Sequence, residues 1–178
     1  MEKLKNQIFN HRRMNNIERL SSSPKIQRYP LSVHSYFVAC MFEDFARQEG
    51  ITYSTDDMYY VMRHDFMEIF SADLIYPVKN LNEATQKAWD LIEHEVKKKH
   101  EASLVSLCTD EELKEKLSDS VYTLMRVCDT LELVLFCREE VLLGNVNEYI
   151  YAIINTCKKD LLSCPFPSVR EFVEGVME

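Results

Sequence analysis

DEELKEKLSDSVYTLMRVCDTLELVLFCREEVLL, residues 110–143, contains neither glycine nor proline and stops at Gly144-Asn145. Its periodicity predicts a long helical segment from Asp110 to Leu143, interrupted near Ser118, because apolar residues recur at helical spacing and turn residues stand only at the edges. Met125, Cys128, Leu133 and Phe136 define buried faces of this segment, and Asp129 sits among them. A carboxylate in such a place is almost never left buried unless it is paired or binds a metal. Its neighbour Arg126 is read as poorly placed to pair with it, which leaves Asp129 as a candidate metal ligand.

Outward from that segment the same pattern repeats. Residues 3–20 predict a first helix that ends at Ser21-Ser22-Ser23-Pro24, and Tyr29 before Pro30 is pushed toward extended backbone. Ser32 to Gln48 predicts a helix with Phe37, Val38, Met41 and Phe45 on its apolar stripe, His34 one turn earlier, and Gly50 as the cap. Ser54 to Asp57 supply capping side chains and first-turn acids for a helix through Phe70 that would carry His64, Asp65 and Glu68. Residues 71–80 read as a loop, and Asn82–His100, Asn147–Leu162 and Ser168–Val176 as further helices. Only 3 Gly and 5 Pro occur in 178 residues, so the chain is expected to be an all-α, compact helical bundle forming one domain over 1–178.

Composition excludes several partners. With a net charge of −8 and no basic stripe interleaved with exposed aromatics, a nucleic-acid polymer is not expected. No apolar run reaches the length of a membrane span, and none of the six cysteines forms a C-x-x-C pair, so reduced thiols and a cytoplasmic location are expected. A small anionic ligand remains compatible, because a metal and a few local cations can reverse the field inside one cleft.

His64-Asp65 offers an imidazole and a carboxylate from one turn, and His34 and Asp129 add one of each from distant helices. Such a mixed N/O set suits Co, Mn, Zn, Fe or Ni and leaves coordination positions open for water and substrate, as catalytic sites do. Glu68, one turn beyond His64, and Asp73, on the adjoining loop, are candidates for moving protons to or from the reacting groups.

The order His34, His64-Asp65, Asp129 resembles the H…HD…D signature of the HD superfamily of helical metal-dependent phosphohydrolases. Four further blocks, Arg28-Tyr29-Pro30-Leu31, Ser32-Val33-His34-Ser35, His64-Asp65-Phe66-Met67-Glu68 and the run from Ala72 to Lys79, resemble the bacterial 5′-deoxynucleotidase subfamily. The resemblance implies metal ligation by His34, His64, Asp65 and Asp129, catalysis by Glu68 and Asp73, and substrate contacts from Arg28, Tyr29 and Lys79. It also implies a deoxyribonucleoside 5′-monophosphate as substrate. Alternatives on the same scaffold are a deoxynucleoside triphosphate triphosphohydrolase, a metal-dependent phosphodiesterase and a non-catalytic nucleotide-binding module. The subfamily commonly places Trp after its arginine to disfavour ribose, whereas Tyr29 follows Arg28 here. A homodimer or higher homo-oligomer is compatible with the sequence.

Overall fold

The computed structural model describes residues 1–72, 81–101 and 107–176. Among them are nine α-helices and no strand: α1 (Glu2–Arg13), α2 (Leu31–Gln48), α3 (Thr55–Val61), α4 (Glu68–Ser71), α5 (Glu83–His100), α6 (Asp110–Lys116), α7 (Asp119–Leu142), α8 (Glu148–Leu162) and α9 (Pro167–Val176). The expected all-α class is the observed one.

Local chemistry sets most of the boundaries. Ser54, Asn82 and Thr109 each accept a bond from a backbone N–H three residues on, while that third residue's side chain returns the contact, so α3, α5 and α6 all open on capping boxes. Leu117 is extended and Ser118 caps α7, which accounts for the predicted interruption of the 110–143 segment. Gly50 and Gly144 take positive φ, +66° and +96°, just beyond the ends of α2 and α7.

α7 is the axis of the molecule, with α2 packed along one side and α8 along another. Val38, Phe42 and Ala46 of α2 meet Leu124, Met125, Cys128 and Leu131 of α7, and Val169 and Val173 of α9 close the same core. Phe42 is fully buried there, and truncating it to Ala is expected to cost about 3–5 kcal/mol. Two smaller clusters flank this core: Met14, Leu31, Phe66 and Ile69 on one side, and Leu20, Tyr29, Phe136 and Ile150 on the other. His34 stands where the three meet, one turn from Leu31 and from Val38 on the buried face of α2.

Two expectations require correction. The first helix ends at Arg13, followed by a 3-10 turn over Met14–Asn16, and Ile17 is already extended. The reason is tertiary: Arg19 N–H donates to Tyr29 O at 2.9 Å and Leu31 N–H to Ile17 O at 2.9 Å, so residues 17–19 pair antiparallel with 29–31 instead of continuing a helix. The helix expected through Phe70 is also broken, into α3 and α4. Between them the backbone tightens to i→i+3 bonds, such as Phe66 N–H to Arg63 O at 2.9 Å, and the His64 ring claims the Val61 carbonyl that would otherwise continue the ladder.

Candidate metal centre

α2, the turn between α3 and α4, and α7 bring His34, His64, Asp65 and Asp129 together, with one ligand atom from each lying within 4.8 Å of the others. An ion about 2.0–2.2 Å from each of four atoms separates neighbouring ligands by roughly 3–3.5 Å, so the cluster has the right scale. The two imidazole Nε2 atoms are 3.2 Å apart, and Asp129 Oδ1 is 3.2 Å from His34 Nε2 and 3.8 Å from His64 Nε2. Asp65 Oδ2 is 3.6 Å and 3.3 Å from the same two nitrogens.

Hydrogen bonds behind the rings explain why both Nε2 atoms face inward. His64 Nδ1–H donates to the Val61 carbonyl at 2.9 Å, and His34 Nδ1–H donates to the Glu132 carboxylate. With both Nδ1 atoms so engaged, four acceptors converge on one point, and only positive charge between them relieves their repulsion. Without a metal, protons supply that charge. Burial and Arg19 oppose a charged His34, yet the Asp129, Asp65 and Glu132 carboxylates outweigh them and hold it at about 9. Burial opposes a charged His64 as well, and Asp65 and Asp129 hold it at about 10. Asp65 and Asp129 are in turn held well below the usual carboxylate range: burial works against their charge, and the facing imidazoles overcome it. A donor set of two imidazoles and two ionised carboxylates fits a divalent transition ion.

His64, Asp65 and Asp129 of the cluster line a cleft of about 760 Å³, which Arg19, Leu20, Glu68 and Arg126 also line. Its outer walls come from α5, with Gln86 and Trp89, and from α8, with Tyr149, Ile153 and Thr156. Glu68, the first residue of α4, is 5 % exposed and stands at the cleft as expected.

The substrate-contact residues differ from expectation. Arg28 is 68 % exposed and turned away, with its guanidinium on Glu18 at 2.7 Å and on the Asn15 carbonyl at 3.3 Å. Tyr29 is buried behind His34, with its ring stacked on Phe136 at 3.8 Å, and it does not line the cleft. Arg19 occupies the place assigned to Arg28. Its guanidinium pairs with Asp65 and lies 3.5 Å from Asp129 Oδ1, and its carbonyl accepts a bond from Lys25. Only the 17–19 pairing with 29–31 selects Arg19 over Arg28, and no local signal in the sequence reports that pairing. Arg126 is likewise corrected: it is three residues from Asp129, on the same helical face, and its Nη1 reaches Asp129 Oδ2 at 3.2 Å. Asp73 and Lys79 lie outside the described residues.

The profile of the 5′-deoxynucleotidase YfbR-like family matches residues 8–178. The chain belongs to that family. No curated protein sequence matches it. Among solved structures this family member resembles an HD-domain phosphohydrolase from Listeria innocua, with 20 % identity, a TM-score of 0.76 and coverage of 96 % of this chain and 85 % of the other. It also resembles the cyanophage S-2L HD phosphohydrolase DatZ, solved with dA and one catalytic Zn2+ ion, at 17 % identity and a TM-score of 0.65, covering 96 % of this chain and 93 % of DatZ. A protein from Pyrococcus horikoshii OT3 shares 16 % identity and a TM-score of 0.70, with 97 % of each chain covered. These likenesses establish the HD phosphohydrolase fold. Among the described residues no helix is long and apolar enough to cross a membrane.

Proposed function

We infer that this family member is a metal-dependent 5′-deoxynucleotidase, which hydrolyses deoxyribonucleoside 5′-monophosphates to the deoxynucleoside and orthophosphate. The observation that carries this reading is the ligand cluster at a cleft with two arginines beside it. When bound, a divalent ion held by His34, His64, Asp65 and Asp129 would act as a Lewis acid on the phosphate and lower the pKa of the attacking water.

The chain's own residues account for the rest. Arg19 and Arg126 present planar guanidinium groups toward the cluster, where they can hold phosphate oxygens and balance their charge. In the reaction the water oxygen forms a bond to phosphorus while the P–O5′ bond breaks. The water loses a proton, and O5′ gains one on leaving. Glu68 stands at the cleft to move that proton. Leu20 follows Arg19 and lines the cleft, so it takes the position that the subfamily commonly gives to its sugar-shaping tryptophan. An apolar side chain there strips water from a ribose 2′-hydroxyl without replacing its hydrogen bonds, which favours deoxyribose. The aromatic and aliphatic wall of Trp89, Tyr149 and Ile153 suits the face of a base.

The charge balance favours a monophosphate over a triphosphate. Among the described residues, the basic side chains lining the cleft apart from the candidate ligand His64 are Arg19 and Arg126, against the carboxylates of Asp65, Glu68, Asp90, Glu93, Asp110, Asp129 and Asp160. Among the described residues, two extra phosphoryl groups would meet a negative field and no cation beyond these two arginines. Metal-loaded protein incubated with ribo- and deoxyribonucleoside mono- and triphosphates tests this. Orthophosphate release from deoxyribonucleoside monophosphates is expected, whereas inorganic triphosphate as the main product would establish the triphosphohydrolase instead.

A further inference from the structure

Behind His34, on the side away from the cleft, lies a buried polar group that the reaction described above does not use. Glu132 is one turn beyond Asp129 on α7, 5 % exposed, and bonded to Tyr29 of the cluster that also holds Phe136. One of its oxygens, Oε2, accepts both the Nδ1–H of His34 and the O–H of Tyr29. Tyr29 OH is also 3.3 Å from His34 Nδ1, so the three groups form a closed triangle. His34 and Tyr29 are 0 % and 1 % exposed, so both bonds are shielded from bulk solvent.

We infer that Glu132 and Tyr29 are positioning residues that prepare His34 for metal binding. This rests on the metal centre as read above. An imidazole can be protonated on either nitrogen, and only the Nδ1–H form directs a lone pair at the ligand cluster. A carboxylate on Nδ1 selects that form, fixes the ring plane and makes Nε2 a stronger donor. Tyr29 fixes the carboxylate in turn, and its stacking on Phe136 fixes the phenol. α7 thus supplies a ligand and a ligand's support from residues three apart, on one face of one helix. The same geometry gives Tyr29 a role at the metal in place of the sugar contact expected from sequence. His64, by contrast, is oriented by the Val61 backbone carbonyl, which no side-chain substitution removes. The support of the two histidines is therefore unequal, and His34 is the one a mutation can disturb.

The test measures metal binding directly. Zn2+ affinity is determined by competition with a chromophoric chelator, and the visible spectrum of the Co2+-loaded protein is recorded, for wild type, Glu132→Gln and Tyr29→Phe. Glu132→Gln is expected to bind Zn2+ about 10–100-fold more weakly and to shift the cobalt bands, while KM at saturating metal stays near wild type. Tyr29→Phe, which keeps the ring stacked on Phe136, is expected to weaken Zn2+ about 3–10-fold, as loss of one supporting hydrogen bond implies. It also carries the test if Glu132→Gln fails to fold. A purely structural role would lower the melting temperature of metal-free and metal-loaded protein alike and leave the affinity and cobalt spectrum unchanged. Zn2+ affinities within twofold of wild type with an unshifted spectrum would overturn the inference and leave the metal centre standing, whereas a wild-type protein that bound neither ion would overturn the metal centre itself.

Discussion

Asp129, partly buried, and Glu140, fully buried, are two carboxylates on the same helix, about three turns apart, and they are satisfied in opposite ways. Glu140 is 0 % exposed and accepts bonds from Ile26 N–H at 2.7 Å, Gln27 N–H at 2.8 Å and the Asn145 side-chain amide at 2.8 Å. These donors are neutral, fixed and sufficient, so Glu140 ties the 24–27 loop to the end of α7. Asp129 faces Arg19, Arg126 and two imidazoles, all of which carry or can carry charge. Such partners can exchange their protons or move for a cation, whereas an amide network cannot. A buried carboxylate by itself therefore does not identify a reactive site; the chemistry of its donors does.

The largest effects should fall on the charged cluster. His64→Ala or Asp65→Ala is expected to eliminate both bound transition metal and detectable phosphate release, while Glu140→Gln keeps a full metal complement, as measured by elemental analysis and phosphate assay. Comparable metal content in all three proteins would erase the distinction between the two carboxylate sites.

Glu68 and Arg19 then divide chemistry from binding. Glu68→Ala is expected to bind a deoxyribonucleoside monophosphate in the presence of metal yet lower kcat by about 10²-fold or more, because the group that moves the proton is gone. Near-normal turnover in this variant would transfer that role to Asp73. Arg19→Ala is expected to lower kcat/KM by about 10²-fold, the scale of a lost charge-assisted contact, with Arg19→Lys recovering only part of it. Calorimetric binding alongside steady-state kinetics separates the two residues.

For Glu140 the expected change is in stability rather than turnover. Burial raises its pKa, but the Ile26, Asn145 and Gln27 donors more than offset this, so the folded value lies below the ordinary 4.5. The carboxylate therefore contributes stability that is fully present above about pH 4.5 and is lost as pH falls through the lower folded pKa. Glu140→Gln should be destabilised by roughly 2–3 kcal/mol at pH 7 in urea titrations, with the gap to wild type narrowing in acid. A pH-independent gap would mean that side-chain shape, not charge, holds the loop. Arg28→Ala gives the smallest effect: its ion pair with Glu18 is exposed, so stability should change by no more than about 1 kcal/mol and kcat/KM by less than threefold. A large kinetic loss there would return Arg28 to the substrate site.

The four candidate metal ligands were legible because their residue types are improbable where they occur. A histidine on the apolar face of α2 and an aspartate among Met125, Cys128 and Phe136 both conflict with their surroundings unless something binds them. Helix identity was legible for a local reason: capping boxes at Ser54, Asn82 and Thr109, and apolar residues three and four apart, act within one or two turns of chain. Arg126 shows that even local spacing must be applied with the true separation, since a residue three positions from Asp129 shares its face.

The sequence by itself determined the helical class, most helix boundaries and the four candidate ligands, since each follows from residue chemistry and short-range periodicity. Tertiary structure decided which arginine reaches the cleft, where the helix carrying His64 opens, and what stands behind His34. The physical reason is range. Arg19 and Arg28 are both arginines in non-helical stretches, and only the bonds between 17–19 and 29–31 turn one toward Asp65 and leave the other on Glu18. Glu132 meets His34 and Tyr29 across about a hundred residues of chain, through packing of α2 against α7 that no local pattern encodes.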